Sequence, residues 1–237
     1  MAEVANFVHR MPLRGVWWGA SQGISLSRNC GLELSGWYLT PKSVTETEFY
    51  NDYTQATTWE DAKPQWGFLD ALATFGYGGM SLIAGFRYDH FSVRFKSAVN
   101  STFGSDMANI ADVTANSYIP IAGAQYRYSG ATSRLTVRTV GFPVIPGNFS
   151  YLEPTGSSTS LIANGAYNHS YFLEVFAEYA WKYGPVDIGI FGRYNGTRIK
   201  SNATTTGNLF GVISMETWSF QLDRNSITVG GQVGLTF

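Results

Sequence analysis

Apolar and polar residues alternate along most of this chain, and a helical period of 3.6 is scarcely visible. Alternation places successive side chains on opposite faces of an extended strand, so it predicts β-structure with one apolar and one polar face. Eight segments carry the pattern: 30–40, 66–77, 80–95, 117–128, 133–141, 170–181, 186–198 and 226–237. Each is about as long as the 9–11 residues that a tilted strand needs to cross a bilayer, or slightly longer. The connectors alternate in length. "GYGG" (76–79), "YSGAT" (128–132) and "KYGP" (182–185) are short, whereas 41–65, 96–116, 142–169 and 199–225 are long and rich in Asn, Thr and Ser. Up-and-down connection then puts short turns at one end and long loops at the other. The predicted fold class is all-β, a transmembrane up-and-down antiparallel β-barrel of eight strands over residues 30–237. Residues 1–29 form either a periplasmic N-terminal arm or an extra strand. "FGVISMETWSFQL" (210–222) is a further strand or an extended hairpin arm, and both additions together give ten.

Alternation alone does not say which face is enclosed, but the kind of polar residue does. One face carries Glu33, Asp70, Arg87, Asp89, Gln125, Arg127, Arg134, Arg138, Glu174, Glu178, Asp187, Arg193 and Gln232, with no lysine among them. The five lysines, Lys42, Lys63, Lys96, Lys182 and Lys200, fall in turns or loops. A solvent-facing sheet uses Lys freely, whereas an enclosed lumen favours Arg, whose planar fork pairs with carboxylates. This face is therefore read as a lumen filled by an ion-pair network. The opposite face, from Leu32 and Leu34 through Leu69, Phe86, Val137, Leu173 and Ile188 to Val233, has no charge. Tyr77, Tyr126, Tyr128, Tyr179 and Trp181 gather near strand ends, as an interfacial aromatic girdle requires.

Composition agrees. Of the 237 residues 44% are hydrophobic, 16% aromatic and only 14% charged, against roughly 25% charged in soluble domains. A net charge of −1 offers nothing to nucleic acid. No apolar run reaches the length of a spanning helix, which leaves strands as the way across a bilayer. The first fifteen residues lack a signal-peptide apolar core, and the single Cys30 is read as structural.

The ending "VGGQVGLTF", with Val233, Leu235 and Phe237 on one face, resembles the C-terminal assembly signal of Gram-negative outer-membrane proteins. Size and strand count resemble their small barrels of the OmpA-barrel, OmpX and OmpW type. The resemblance implies residence in the outer membrane, contact with its lipid and lipopolysaccharide, and recognition by the barrel-assembly machinery. It leaves open a partner in the envelope or outside the cell.

Candidate chemistry is sparse. "YDHFS" (88–92) puts His90 and Ser92 on one strand face near a loop end. Outer-membrane lipid A deacylases and phospholipases place Ser and His at the lipid face, with an acid or amide orienting the His. Asp89 or a cross-strand Glu is the candidate support, although adjacent Asp89 points to the other face. His169 and Ser170 form a second adjacent pair. Three scattered His show no metal-ligand spacing, so neither metal nor cofactor is expected. Acidic, aromatic 45–66 offers a recognition surface through Glu46, Glu48, Asp52, Glu60 and Asp61, and the N-x-S/T sequons are given no role. The expectation is a non-enzymatic barrel, structural or recognising partners through its loops. The alternatives are a porin-like narrow pore and a lipid hydrolase using His90 and Ser92.

Overall fold

The computed structural model describes the backbone of residues 7–10, 15–42, 44–50, 54–95, 97–100, 106–107, 111–155, 159–209 and 212–235. These contain β1 (Phe7–Arg10), β2 (Gly15–Ser27), β3 (Cys30–Pro41), β4 (Val44–Tyr50), β5 (Thr54–Tyr77), β6 (Met80–Phe95) and β7 (Ser97–Asn100). There follow β8 (Asp106–Met107), β9 (Ala111–Ser129), β10 (Ser133–Phe142), β11 (Gly147–Thr155), β12 (Thr159–Tyr183), β13 (Val186–Leu209) and β14 (Val212–Leu235). All fourteen belong to one sheet, and every described pairing is antiparallel. The registers run β1 on into β2, β3 into β4, β6 into β7, β8 into β9 and β10 into β11. Among the described residues this leaves nine long runs that go up and down in chain order.

The all-β antiparallel up-and-down fold is as expected, with more strands than eight, and two open alternatives are resolved. Residues 15–27 are not a free arm, because they pair with β3 from Gly15↔Pro41 to Ser27↔Cys30. Residues 212–222 are the upper part of β14, paired with β13 from Leu209↔Val212 to Val186↔Leu235. β14 is thus one strand with a long hairpin arm. It does not pair with β2 among the described residues. The reason is direction: β2 and β14 both run towards the short-turn end. An antiparallel ladder closes between them only through one further strand running the other way, at the even count of ten.

The long connectors also proved to be strand. β5 and β12 extend well beyond a bilayer-spanning length, and 204–206 pairs with 215–217 across from it. Above the bilayer both faces of a strand meet water, so the alternation that marks the lower half fades into Thr and Asn.

At the lower end the turns are tight. Gly78 and Gly79 have φ of 63° and 90°, the two left-handed positions that a two-residue hairpin between Tyr77 and Met80 demands. Replacing Gly79 by Val is expected to cost about 1–3 kcal/mol, since its Cβ would also lie 2.8 Å from the Arg127 carbonyl oxygen. Urea titration of the protein refolded in lipid vesicles should show the midpoint fall, and an unchanged midpoint would contradict this turn.

The two faces separate as alternation requires. Leu34, Leu69, Phe86, Val137, Ile190 and Val233 point outward and are exposed, while Asp70, Arg87, Arg138, Glu174 and Arg193 are buried inside. The lumen is not uniformly polar, however. Leu72, Ile83, Ile119, Ile121, Val140, Ile145 and Phe172 form an apolar cluster within it. Tyr38, Tyr88, Tyr118, Tyr171 and Tyr194 form an upper exposed row on the outer wall, and Tyr77, Tyr126, Tyr128, Tyr179 and Trp181 a lower one. The belt between them is the hydrocarbon-facing zone.

Candidate functional site

Two constellations of polar side chains meet the requirements for function. The first fills the lumen. Arg87 Nε lies 2.6 Å from Asp70 Oδ1, and its Nη2 lies 2.7 Å from Glu174 Oε2. Arg138 joins Glu33 at 3.0 Å and Glu174 at 3.3 Å, while Arg193 approaches Glu174 at 3.8 Å. Glu174 therefore gathers three guanidinium groups at a site with 0% side-chain exposure. Lower down, Arg134 bridges Glu178 and Asp187, both at 2.7 Å. Because β3, β6, β10 and β12 are not all neighbours, these bridges cross the lumen. Aromatic faces complete the packing, with Arg87 over Phe68 at 4.0 Å and Arg193 over Trp37 at 4.2 Å.

Each residue expected in this network lies on the inner face, though not all are paired. Arg127 is exposed and makes no ion pair among the described residues. Asp89 has a partner that the sequence reading missed: Arg224 Nη2 stands 2.6 Å from Asp89 Oδ1, and Trp66 Nε1 donates to Oδ2 at 2.8 Å. Arg224 had been assigned to a long loop, and only the register of β14 brings it inside. Of the C-terminal signal residues, Val233 and Leu235 point outward, and Phe237 lies outside the described residues.

The second constellation is on the outer wall, where β5, β6 and β9 run side by side. β6 presents Phe86, Tyr88, His90, Ser92 and Arg94 outward in that order, so an apolar face turns aromatic and then polar. Register places Gly67 and Asn116 on either side of His90, and Gln65 and Thr114 on either side of Ser92. His90 Nδ1 lies 2.8 Å from Asn116 Oδ1, which also accepts from the Tyr88 hydroxyl at 3.0 Å. An amide oxygen can only accept, so Nδ1 carries the proton, and in the neutral imidazole Nε2 keeps its lone pair. Ser92 shares the face two residues on, and no hydrogen bond joins it to His90 in this state. Above them Arg94 holds Asp112 in a two-pronged pair at 2.8 and 3.1 Å. His90, Ser92, Gln65, Arg94, Asp112 and Thr114 border a cleft of about 450 Å³.

The alternative supports for His90 are thereby settled. Asp89 faces the lumen and is engaged by Arg224, so it does not orient His90. Asn116 does, and it had not been singled out because strand pairing alone brings it there. His169 and Ser170 point to opposite faces. Ser170 is buried and bonded to the backbone of Ile145, which removes that pair as a candidate. The side chains of 45–61 lie outside the described residues, and with them most of the acidic recognition surface. Among the described residues no group of His, Cys, Asp and Glu could hold a metal ion.

No family model matches the chain, and no curated protein is similar to it in sequence. Among solved structures, it is similar to the outer membrane protease OmpT of Escherichia coli. The TM-score is 0.78 at 11% identity, covering 97% of this chain and 87% of that one. The fold is thus that of a transmembrane outer-membrane β-barrel protein. The expectation of a non-enzymatic barrel is corrected by the same finding, because the structurally similar OmpT is a protease and the fold does not set this chain apart from enzymes.

Proposed function

We propose that this barrel is an outer-membrane hydrolase of lipid esters, with Ser92 as nucleophile, His90 as general base and Asn116 as the group that orients it. The observation that carries the reading is the 2.8 Å hydrogen bond from His90 Nδ1 to Asn116 Oδ1 on a lipid-facing wall, with Ser92 on the same strand face. A serine hydroxyl is a poor nucleophile until a neighbouring base takes its proton, and a base works only in the right tautomer. The Asn116 amide selects that tautomer.

In the proposed reaction, His90 Nε2 takes the Ser92 hydroxyl proton as Oγ attacks the ester carbonyl carbon. The tetrahedral oxyanion collapses, the alcohol leaves with the proton from His90, and the acyl group stays on Ser92. Water then attacks the acyl carbon as it gives a proton to His90, and His90 returns that proton to Ser92 Oγ as the Oγ–acyl bond breaks and the fatty acid leaves. The Gln65 amide and the Thr114 hydroxyl flank Ser92 in register and are the candidate donors to the oxyanion.

Depth on the wall argues for a lipid substrate. His90 is ten residues above Met80 at the lower turn, roughly 26 Å up a strand tilted near 40°. An apolar band is about 25 Å tall. His90 then stands at the upper boundary of the hydrocarbon and Ser92 roughly 5 Å above it, at the level of the ester groups of an outer leaflet. Proteolysis, the activity of the structurally similar OmpT, draws support here from fold likeness alone.

Purified protein in mixed micelles should release fatty acid from phospholipid or lipid A, and His90→Ala should not. A His90→Ala protein as active as wild type would end the proposal. Asn116→Ala is expected to lower kcat at least about tenfold with little change in KM. Asn116→Asp, which keeps an acceptor, should restore most of it. Equal loss in both variants would make Asn116 merely structural.

A further inference from the structure

Beside the Ser92 cleft, lower on the same wall, lies a furrow of about 210 Å³. Its floor is Gly67, the one position in this row without a side chain. Tyr38 stands on one side, His90 and Tyr88 on the other, Gln65 closes the top, and exposed Leu69 lies at the foot. The two spaces share Gln65 and His90, so they are continuous. The furrow descends from the polar row into the apolar belt.

We infer that this furrow is an acyl-chain subsite, which takes one hydrocarbon chain of a membrane lipid and lays it down the wall below the scissile ester. The inference rests on the hydrolase reading for its chemistry but on separate geometry for its location. An acyl chain is the occupant that fits, because the walls are aromatic and aliphatic, the foot lies in hydrocarbon, and the head opens beside Ser92. The missing side chain at 67 provides the space: a Cβ there would stand 3.2 Å from the Trp37 carbonyl oxygen and 3.4 Å from the Tyr38 ring. Larger groups at 67 therefore fill the furrow once the tight contact with the Trp37 carbonyl oxygen is relieved by a shift of a few tenths of an ångström between β3 and β5.

The proposal predicts chain-length selectivity that depends on Gly67. In wild type, esters of sixteen-carbon acids should be hydrolysed in preference to four-carbon esters. Gly67→Leu should lower the long-to-short ratio by about tenfold or more, the scale of losing a few buried methylenes. A ratio that does not move overturns the subsite. A second readout needs no turnover. In Ser92→Ala protein, a phosphatidylcholine bearing a diazirine on its acyl chain should cross-link to residues 65–69 and 37–38, and Gly67→Leu should remove that label. Labelling spread evenly round the barrel, or unaffected by Gly67→Leu, also overturns it. Label confined to the furrow in a protein that hydrolyses no ester would keep the subsite and reject the hydrolase.

Discussion

Ser92→Ala is expected to reduce fatty-acid release by about 10⁴-fold or more, the scale seen when a serine nucleophile is removed from a hydrolase. No other described serine or threonine shares its position two residues from His90 on the same face; the Tyr88 hydroxyl on the other side is engaged with Asn116. Thr114 is its neighbour on β9, but Thr114 lies across from Ser92 and not from His90. The residue replaced is partly exposed on the outer wall and makes no side-chain hydrogen bond that the fold uses. The variant should therefore still migrate faster unheated than boiled on SDS gels, the behaviour of a folded barrel. Residual turnover within tenfold of wild type would remove Ser92 from the mechanism whatever the gels show.

The second large effect belongs to the lumen. Glu174→Ala removes the one carboxylate that pairs with Arg87, Arg138 and Arg193 together, and leaves three guanidinium groups crowded in a buried space. Arg87 retains Asp70 and Arg138 retains Glu33, but Arg193 loses its one ion-pair partner among the described residues. Breaking a buried pair by removing one member costs about 3–5 kcal/mol, because the remaining charge keeps its desolvation cost. The expected result is a marked drop in the urea midpoint of the vesicle-refolded protein. Glu174→Gln, which keeps shape and acceptor, should fall less. A midpoint equal to wild type in both would mean that the network does not hold the lumen together. Ester hydrolysis by whatever fraction remains folded should survive, since the site is on the other side of the wall.

That separation between an inner and an outer constellation was partly legible in the sequence. Alternation and the preference for Arg over Lys put Asp70, Arg87, Arg138 and Glu174 inside, and each is there. Leu72, Ile83 and Val140 share that inner face, yet the pattern hides them because apolar residues were read as marking the outside. The upper halves of the strands were hidden for a different reason. Where water reaches both faces, nothing penalises a polar residue on either, and strand then looks like loop.

The candidate site shows the same boundary. His90 and Ser92 are two apart on one strand, so a local pattern finds them. Asn116 is distant in sequence and reaches His90 only through the β6–β9 register, as Arg224 reaches Asp89 only through the register of β14. Strand pairing is a long-range property, and a shift of one residue would turn Asn116 to the other face. Without that partner, His90 and Ser92 are only two polar residues on one strand face. The hydrogen bond at Nδ1 changes their standing.

The most direct test of the outer-wall site asks whether Ser92 is an activated nucleophile. Folded protein in detergent micelles would be treated with a long-chain alkyl fluorophosphonate, then digested and analysed by mass spectrometry. The prediction is a single phosphonyl adduct on Ser92 that is absent from His90→Ala protein. An unmodified Ser92, or an adduct that forms equally without His90, would contradict it.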